Sequence, residues 1–308
     1  MRVFVAGATG VLGRPLVRAL VAAGHFVAGS TRHALRVPLI EADGGRGFVC
    51  DALDRTAVHE TLAATTPDVV IDQLTALPTG ARKVRASFKA TNLLRTEGTR
   101  NLVDAAIAAG ARRVIAESVA FLYRPAGPRV VDEDAPVWRN VSGLYGAAME
   151  ALDTLERTVL GTEGIEGVVL RYGYLYGPGT WWAADGLITR LVRRRLVPIV
   201  GDGSGVLSML HVDDAATATV RALDHGAPGA YNVTDDDPAS FAELLPEFAS
   251  LVGAKPPRHL PVGPMRLLGG RTAVALLTEQ RGASNAKAKA ELGWTPRYPS
   301  WREGLRVN

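Results

Sequence analysis

Cysteine is almost absent from this chain of 308 residues, which has Cys50 and no other. A single cysteine excludes an intrachain disulfide, so packing and hydrogen bonds must stabilise the fold without a covalent cross-link. Lysine is also scarce, at five residues, and arginine supplies most of the positive charge. The net charge of +4 is too small to indicate a nucleic-acid partner.

Long apolar runs are missing as well. No stretch approaches the roughly eighteen residues that a membrane-spanning helix needs, so we expect no membrane partner. Residues 1–5 lead straight into glycine and do not resemble a secretory signal, so we expect a cytoplasmic location. The segment Asp235-Asp236-Asp237-Pro238 predicts a turn before a helix at Ser240 and not a metal site, because three adjacent carboxylates cannot all face one ion.

Short apolar runs alternate with amphipathic stretches through the first half of the chain. The runs at 2–6, 26–30, 47–50, 69–72, 113–117 and 167–171 predict strands, and the stretches at 11–23, 54–64, 86–109 and 142–160 predict helices. This alternation predicts an α/β fold, a Rossmann-like doubly wound parallel sheet covered on both faces. After about residue 175, glycine and proline punctuate a smaller mixed region. We therefore predict domains at 1–175 and 176–308, and the chain is free to cross between them.

A glycine-rich segment, Gly7-Ala8-Thr9-Gly10-Val11-Leu12-Gly13, follows the first predicted strand and opens the first predicted helix. In that context the first glycine permits a sharp turn, the second lets a pyrophosphate approach the backbone, and the third allows close packing of helix on strand. The helix N-terminus adds free N–H groups and a partial positive charge. The segment predicts a dinucleotide site, and a tight connection without a ligand is the alternative.

The residues after the second strand predict which dinucleotide binds. Ser30-Thr31-Arg32 places a cation and two hydroxyls where an acidic residue would hold the ribose of NAD. A cation there favours the 2′-phosphate of NADP(H), so NAD(H) is the less favoured cofactor. An exposed Arg32 without a ligand is the alternative. Asp51, after the third strand, either reaches the adenine or caps the helix that begins near Asp54.

Motifs along nearly the whole chain resemble the extended short-chain dehydrogenase/reductase superfamily, in its epimerase/dehydratase-like branch. They are the glycine-rich segment, Asp51-Ala52-Leu53, Leu74-Thr75-Ala76, Tyr145-Gly146, Leu170-Arg171, Tyr176-Gly177-Pro178-Gly179, His211-Val212-Asp213-Asp214-Ala215, Tyr231-Asn232-Val233 and Glu291-Leu292-Gly293-Trp294-Thr295-Pro296. The arginine- and alanine-rich, lysine-poor composition is similar to that of actinobacterial members.

The resemblance implies roles for particular residues. Asp51 and Ala52 would bind the adenine end of the cofactor, and Leu74, Thr75 and Ala76 would line its ribose and nicotinamide side. Ser118 would lie beside the substrate, and Tyr145 would be the acid–base. The segment Tyr172-Gly173-Tyr174-Leu175 would close over the nicotinamide, and His211 would be structural.

The chain departs from the family at the catalytic signature Tyr-x-x-x-Lys. Tyr145 is followed four residues later by Met149, which can neither hold the ribose hydroxyls nor stabilise a tyrosinate. A neutral tyrosine still donates a proton but is a poor base at pH 7. The usual serine position holds Val119, with Ser118 just before it, and Ser118 either supplies the catalytic hydroxyl or satisfies the end of the strand. Arg95 occupies the place of the family's asparagine, and Asn92 lies one turn earlier.

The substrate side has no arginine before His211 that would clamp a nucleotide-sugar diphosphate. Trp181-Trp182 predicts either an apolar lid or packing between the two regions. We therefore predict an NADPH-dependent reductase of a carbonyl or enone in a small apolar metabolite. The alternatives are a non-redox isomerase, epimerase or cyclase that uses bound cofactor, and a redox-sensing regulatory protein. The stretches 86–109 and 142–160 either pair in a homodimer or are buried in one subunit.

Overall fold

A seven-stranded parallel sheet forms the centre of the protein. The computed structural model describes residues 1–77 and 84–307. The sheet order is β7-β6-β5-β4-β1-β2-β3, a Rossmann-like arrangement that confirms the predicted fold class. Its strands are β1 (Arg2–Ala6), β2 (Phe26–Thr31), β3 (Arg46–Val49), β4 (Val69–Asp72), β5 (Arg113–Val119), β6 (Glu166–Tyr172) and β7 (Gly229–Val233).

Helices cover both faces of this sheet and also pack in a further apolar cluster formed by the C-terminal half of the chain. They are α1 (Gly13–Ala22), α2 (Val37–Ala42), α3 (Arg55–Thr65), α4 (Val84–Leu93), α5 (Thr99–Ala108), α6 (Gly143–Gly161), α7 (Leu187–Arg193), α8 (Val212–Arg221), α9 (Phe241–Leu251), α10 (Val262–Thr278), α11 (Ala286–Leu292) and α12 (Trp301–Val307). Short strands outside the main sheet pair locally: Val130–Val131 with Gly282–Ala283, Tyr174–Tyr176 with Met209–His211, Ile199–Val200 with His259–Leu260, and Val206–Leu207 with Ala239–Ser240.

Capping side chains set several helix starts. The Asp54 carboxylate accepts from the Ala57 N–H at 3.1 Å and begins α3. Ser240 and Glu243 form a reciprocal capping box at α9, which confirms the helix predicted there. The predicted helix 86–109 is instead α4, a π-helical segment Leu94–Gly98 and α5. A π turn holds one extra residue that apolar periodicity does not reveal.

Two apolar layers sandwich the sheet. Side chains of alternate strand residues pack on α1 and α8 on one face, and on α3, α5 and α6 on the other. Strand residues alternate in direction, so each strand contributes to both layers. In the described ranges, no helix combines the length and apolar character required to cross a bilayer.

The C-terminal half both completes the sheet and builds a separate apolar cluster. Strand β7 pairs with β6, so residues beyond 176 enter the main sheet, and the boundary between the two predicted domains stays a prediction. Trp182 is 8% exposed and meets Phe248 edge to face at 4.9 Å. Trp182 therefore packs in the C-terminal cluster and does not form a lid. His211 is buried and its Nδ1 accepts from the Asp213 N–H at 3.1 Å, a structural contact.

Candidate active site

The glycine-rich turn between β1 and α1 is pressed against the end of β4. Gly7 has φ +83°, and a Cβ there would lie 2.4 Å from the Gln73 carbonyl oxygen. A Cβ on Gly13 would lie 2.2 Å from the Gly7 carbonyl oxygen. A side chain at either position would therefore move the turn, which explains why glycine stands at both.

The same turn leaves backbone donors free. The Gly10 N–H donates to the Gly7 carbonyl and the Arg14 N–H donates to the Gly10 carbonyl. Across residues 1–77 and 84–307, no hydrogen bond uses the N–H of Val11 or Leu12. These donors open the N-terminus of α1, where an anion is favoured. The cradle fits the pyrophosphate of a dinucleotide, and Thr9, whose hydroxyl donates to Thr31 Oγ1 at 3.3 Å, flanks it.

The end of β2 carries the residues that predict cofactor choice. Ser30 and Thr31 are buried, and Arg32 is exposed with its Nε donating to His33 Nε2 at 3.1 Å. Asp51 is exposed after β3 and accepts from the Leu53 N–H at 3.0 Å. Because Asp54 caps α3, Asp51 is not that cap. The buried Ala52 accepts from Asn101 through its carbonyl at 2.9 Å, which fixes the loop.

The loop after β4 is held against α4. The Leu74 N–H donates to Asp72 Oδ1 at 3.0 Å, and the Ala76 N–H donates to Thr91 Oγ1 at 3.1 Å. Leu74, Thr75 and Ala76 are partly exposed beside the glycine-rich turn. Their position at the carboxyl edge of the sheet is where open α/β sheets bind ligands.

Tyr145, on the first turn of α6, does not have the environment of a catalytic base. Its hydroxyl donates to the Phe121 carbonyl oxygen at 3.1 Å. Burial, with the neighbouring Tyr174, raises the pKa of Tyr145 above its usual value. Met149 is 3% exposed in an apolar cluster with Leu122 and Leu152 and offers no charge. The site therefore keeps a neutral phenol.

Aromatic side chains surround that phenol. Phe121 and Tyr174 stack with ring centroids 4.3 Å apart, and Trp138 lies 5.9 Å from the Tyr145 ring. The Tyr174 hydroxyl donates to Gln280 Oε1 at 2.9 Å, so this ring is held in place. Rings in these positions suit a flat apolar or cationic ligand.

The structure places two of the predicted site residues inside the layers that cover the sheet, and their functional roles stay predictions. Ser118 is fully buried and its hydroxyl donates to Glu156 Oε1 at 2.7 Å. Tyr172 is 2% exposed, with its hydroxyl hydrogen-bonded to Gln73 and Thr219 in the core. Both side chains follow the two-residue alternation of their strands and point into the layers that cover the sheet.

Buried charges near the site were missed by sequence reasoning. Arg171 pairs with Glu156 at 2.7 Å beside Ser118. Asp72 accepts from Thr99 Oγ1 at 2.7 Å, and burial raises its pKa to about 6. Burial likewise raises the pKa of Glu117, at the end of β5, to about 7. The available sequence signal was a charged residue inside an otherwise apolar predicted strand.

Known proteins share this architecture. A sequence model of the NAD dependent epimerase/dehydratase family matches residues 3–234. The 3-diazoavenalumate denitrifying reductase of a Streptomyces species is 49% identical over 306 residues, 99% of each chain. The 4-hydroxy-2-methyl-3-oxo-4-farnesyl-3,4-dihydroquinoline-1-oxide ketoreductase of Stigmatella aurantiaca is 29% identical over 326 residues, 99% of this chain and 95% of that one.

A solved structure has the same fold with a nicotinamide cofactor bound. The Thermus thermophilus UDP-glucose 4-epimerase in complex with NAD superposes with a TM-score of 0.74 at 25% identity, covering 100% of this chain and 97% of the other. The glycine cradle described above fits such a cofactor. The chain therefore belongs to the NAD-dependent epimerase/dehydratase family of extended short-chain dehydrogenases/reductases, and it is a nicotinamide-dependent reductase.

Proposed function

We propose that this protein is an NADPH-dependent reductase that replaces the diazo group of a small aromatic acid with hydrogen and releases dinitrogen. The end-to-end identity of 49% with a denitrifying reductase of a diazo compound motivates the substrate class. The rings of Phe121, Trp138, Tyr145 and Tyr174 support an aromatic substrate. We also propose that the protein acts in the cytoplasm.

One observation carries the proposal: the Tyr145 hydroxyl donates a hydrogen bond to the Phe121 carbonyl oxygen, and Met149 stands one turn later where the family has lysine. Reduction of a carbonyl needs a proton for the oxygen as well as a hydride. An aryl diazonium ion needs no proton, because its ring carbon gains a C–H bond while the C–N electron pair leaves with neutral dinitrogen. When bound, the reduced nicotinamide supplies the hydride. A site whose tyrosine is not positioned to protonate the substrate suits this reaction.

The chain's own residues would then hold the cation and exclude water. Aromatic faces attract a positive group within about 6 Å of the ring centroid, and the attraction grows when water is removed. The Phe121–Tyr174 stack and the Gln280 hydrogen bond keep two of the rings in place. Excluding water also protects a reactive diazonium ion from hydrolysis.

The reaction can be tested with a diazotised hydroxyaryl carboxylic acid. We expect NADPH oxidation and dinitrogen release in equal amounts, and deuterium from 4-deuterated NADPH at the ring carbon. The control is the same mixture without enzyme, which reports spontaneous loss of nitrogen. Turnover without net NADPH oxidation would instead indicate an isomerase, and NADPH oxidation without dinitrogen release would contradict the proposal.

The preference for NADPH rests on Arg32, an exposed cation at the end of β2. We expect Arg32→Asp to raise the Kd for NADPH roughly 10- to 100-fold and to change that for NADH little, because only NADPH carries the 2′-phosphate. The matched control is Arg55→Asp, an exposed arginine on α3. Equal weakening of both cofactors would contradict the preference.

Carbonyl reduction is the second candidate. It is favoured by the retained Tyr145 and by the Stigmatella ketoreductase relative. In that case Tyr145 would rotate away from the Phe121 carbonyl and donate its proton to the substrate oxygen. A panel of small ketones and enones, assayed beside the diazonium substrate, separates the two candidates.

We also propose a homodimer built on α4 and α6. A groove of about 810 Å³ runs between these helices, lined by apolar and charged side chains that include Leu93, Leu144, Ala147 and Glu150. Paired helices of two copies would cover it.

A further inference from the structure

Three arginines are buried in the part of the chain that the structure describes, and two of them are fully engaged. Arg113 pairs with Glu166 and donates to three backbone carbonyls. Arg171 pairs with Glu156 through two hydrogen bonds. Arg95 is 8% exposed yet makes no hydrogen bond or ion pair with any residue in 1–77 or 84–307. The third arginine therefore differs from the other two.

Arg95 lies at the carboxyl edge of the sheet, inside the π-helical segment between α4 and α5. Thr91, four residues earlier, accepts from the Ala76 N–H at 3.1 Å. Thr99, four residues later, donates to Asp72 at 2.7 Å. Along the chain, Arg95 therefore lies between one contact to the loop after β4 and one contact to the end of β4. The carboxyl groups of Asp72 and Glu117 interact electrostatically with its guanidinium.

A guanidinium that is buried and makes no hydrogen bond to the described residues keeps its N–H donors available for a ligand. Burial lowers the pKa of Arg95, and the two carboxyls oppose that effect. The ligand must accept hydrogen bonds from a guanidinium beside two carboxyl groups. An anion would be repelled by Asp72 and Glu117, whereas sugar hydroxyls accept from an arginine and donate to a carboxylate.

We infer that Arg95 binds the ribose hydroxyls at the nicotinamide end of the cofactor and supplies there the positive charge that Met149 lacks. The family's lysine would lie on α6, whereas Arg95 lies on the α4–α5 connection, beside the Leu74–Ala76 loop. The inference requires a nicotinamide cofactor and does not depend on the diazo substrate. It gives the π-helical segment a function, because the extra residue sits in the turn that carries Arg95.

The test is the affinity of Arg95→Met for NADPH and, separately, for NADH, measured by nucleotide fluorescence without any substrate. We expect Kd to rise roughly 10- to 100-fold for both, the effect of losing hydrogen bonds to a charged group. Thermal unfolding of the variant without cofactor is measured alongside, so that a loss of affinity can be distinguished from a loss of folded protein. Arg95→Lys should recover part of the affinity.

Arg100→Met is the matched control, since Arg100 is an exposed arginine on α5, and we expect its cofactor affinity to match the parent. An Arg95→Met protein with unchanged Kd for both nucleotides would overturn the inference, whatever its melting temperature. A weaker Kd for NADPH alone would also overturn it, because Arg95 would then act on the 2′-phosphate. Neither result bears on dinitrogen release, which is assayed on the parent enzyme.

Discussion

The phenol of Tyr145 and the thioether of Met149 together determine how readily the site can supply a proton to a substrate. Tyr145 donates to a backbone carbonyl and its pKa is raised by burial, so its proton is held by the protein. Met149 is packed among apolar side chains, where a lysine would be a buried charge. The pair suits reduction of an electrophile that is already cationic.

Replacing Tyr145 by phenylalanine separates the two candidate reactions. We expect Tyr145→Phe to change kcat/KM for a diazonium substrate by less than about tenfold, because no proton is transferred. Carbonyl reduction that relies on this acid would fall roughly 10²- to 10⁴-fold. Steady-state kinetics with both substrates make the comparison, and a large loss on the diazonium substrate would show that Tyr145 acts as an acid after all.

Glu117 gives the folded protein a distinct pH dependence. Its pKa rises from 4.5 to about 7 on burial, so the folded state prefers the protonated form. The stability that this group contributes is present below about pH 4.5 and is lost as pH rises through 7, because the unfolded chain then releases its proton first. Glu117→Gln should remove this loss of stability at high pH, because glutamine does not titrate.

We expect Glu117→Gln to be more stable than the parent at pH 8 and to gain less, or nothing, at pH 5. Urea unfolding of the cofactor-free protein at both pH values measures the difference. The matched control is Glu163→Gln, an exposed carboxyl outside this cluster. A gain that is equal at the two pH values would contradict the assignment.

At the scale of elements, a buried polar network joins α6 to the sheet. Glu156 on α6 accepts from Ser118 on β5 and Arg171 on β6. Tyr123 accepts from Arg171 at 3.0 Å and donates to Asn232 on β7 at 2.6 Å. The network therefore couples three strands and one helix beneath the aromatic cluster.

Ser118→Ala tests whether this network or the substrate is the partner of Ser118. We expect a loss of about 1–3 kcal/mol in the free energy of unfolding, because a buried carboxylate loses a donor, with kcat/KM within about twofold. Ser142→Ala is the control, since Ser142 precedes α6 without a side-chain capping bond. A hundredfold loss of activity at unchanged stability would instead indicate that Ser118 acts in catalysis.

The first six strands of the main sheet could be predicted because they are short apolar runs, whereas α2 was not predicted. Strand β7 was not predicted, because its sequence, Gly229–Val233, lies in a region without strict alternation. The direction of Ser118 was predictable in principle, since it shares a face with Val114 and Ala116, which pack in the layer that contains α6 residues. The hydrogen-bond partner of Tyr145 and the burial of Arg95 depend on side-chain placement that no local pattern encodes.

At the scale of the whole molecule, the proposed homodimer makes a simple prediction. We expect light scattering to give about twice the chain mass of 32.6 kDa. Leu144→Asp, on the groove between α4 and α6, should give the monomer mass, because it buries a charge in the interface. Leu267→Asp, at an exposed site elsewhere, is the control. A monomeric parent protein would contradict the dimer.

The position of β7 has a consequence for biosynthesis. Six strands lie within residues 2–172, whereas β7 is made only at 229–233, after the chain has left the sheet and returned. At about 5–20 residues per second, a ribosome leaves the edge of β6 without its neighbour for several seconds. During that interval the unpaired edge of β6 can pair with the wrong strand. The polar network of Arg171 also lacks the contact between Tyr123 and Asn232. Strand β7, the last strand of the main sheet to be synthesised, thus both protects the sheet from aggregation and completes the polar network that joins α6 to the sheet.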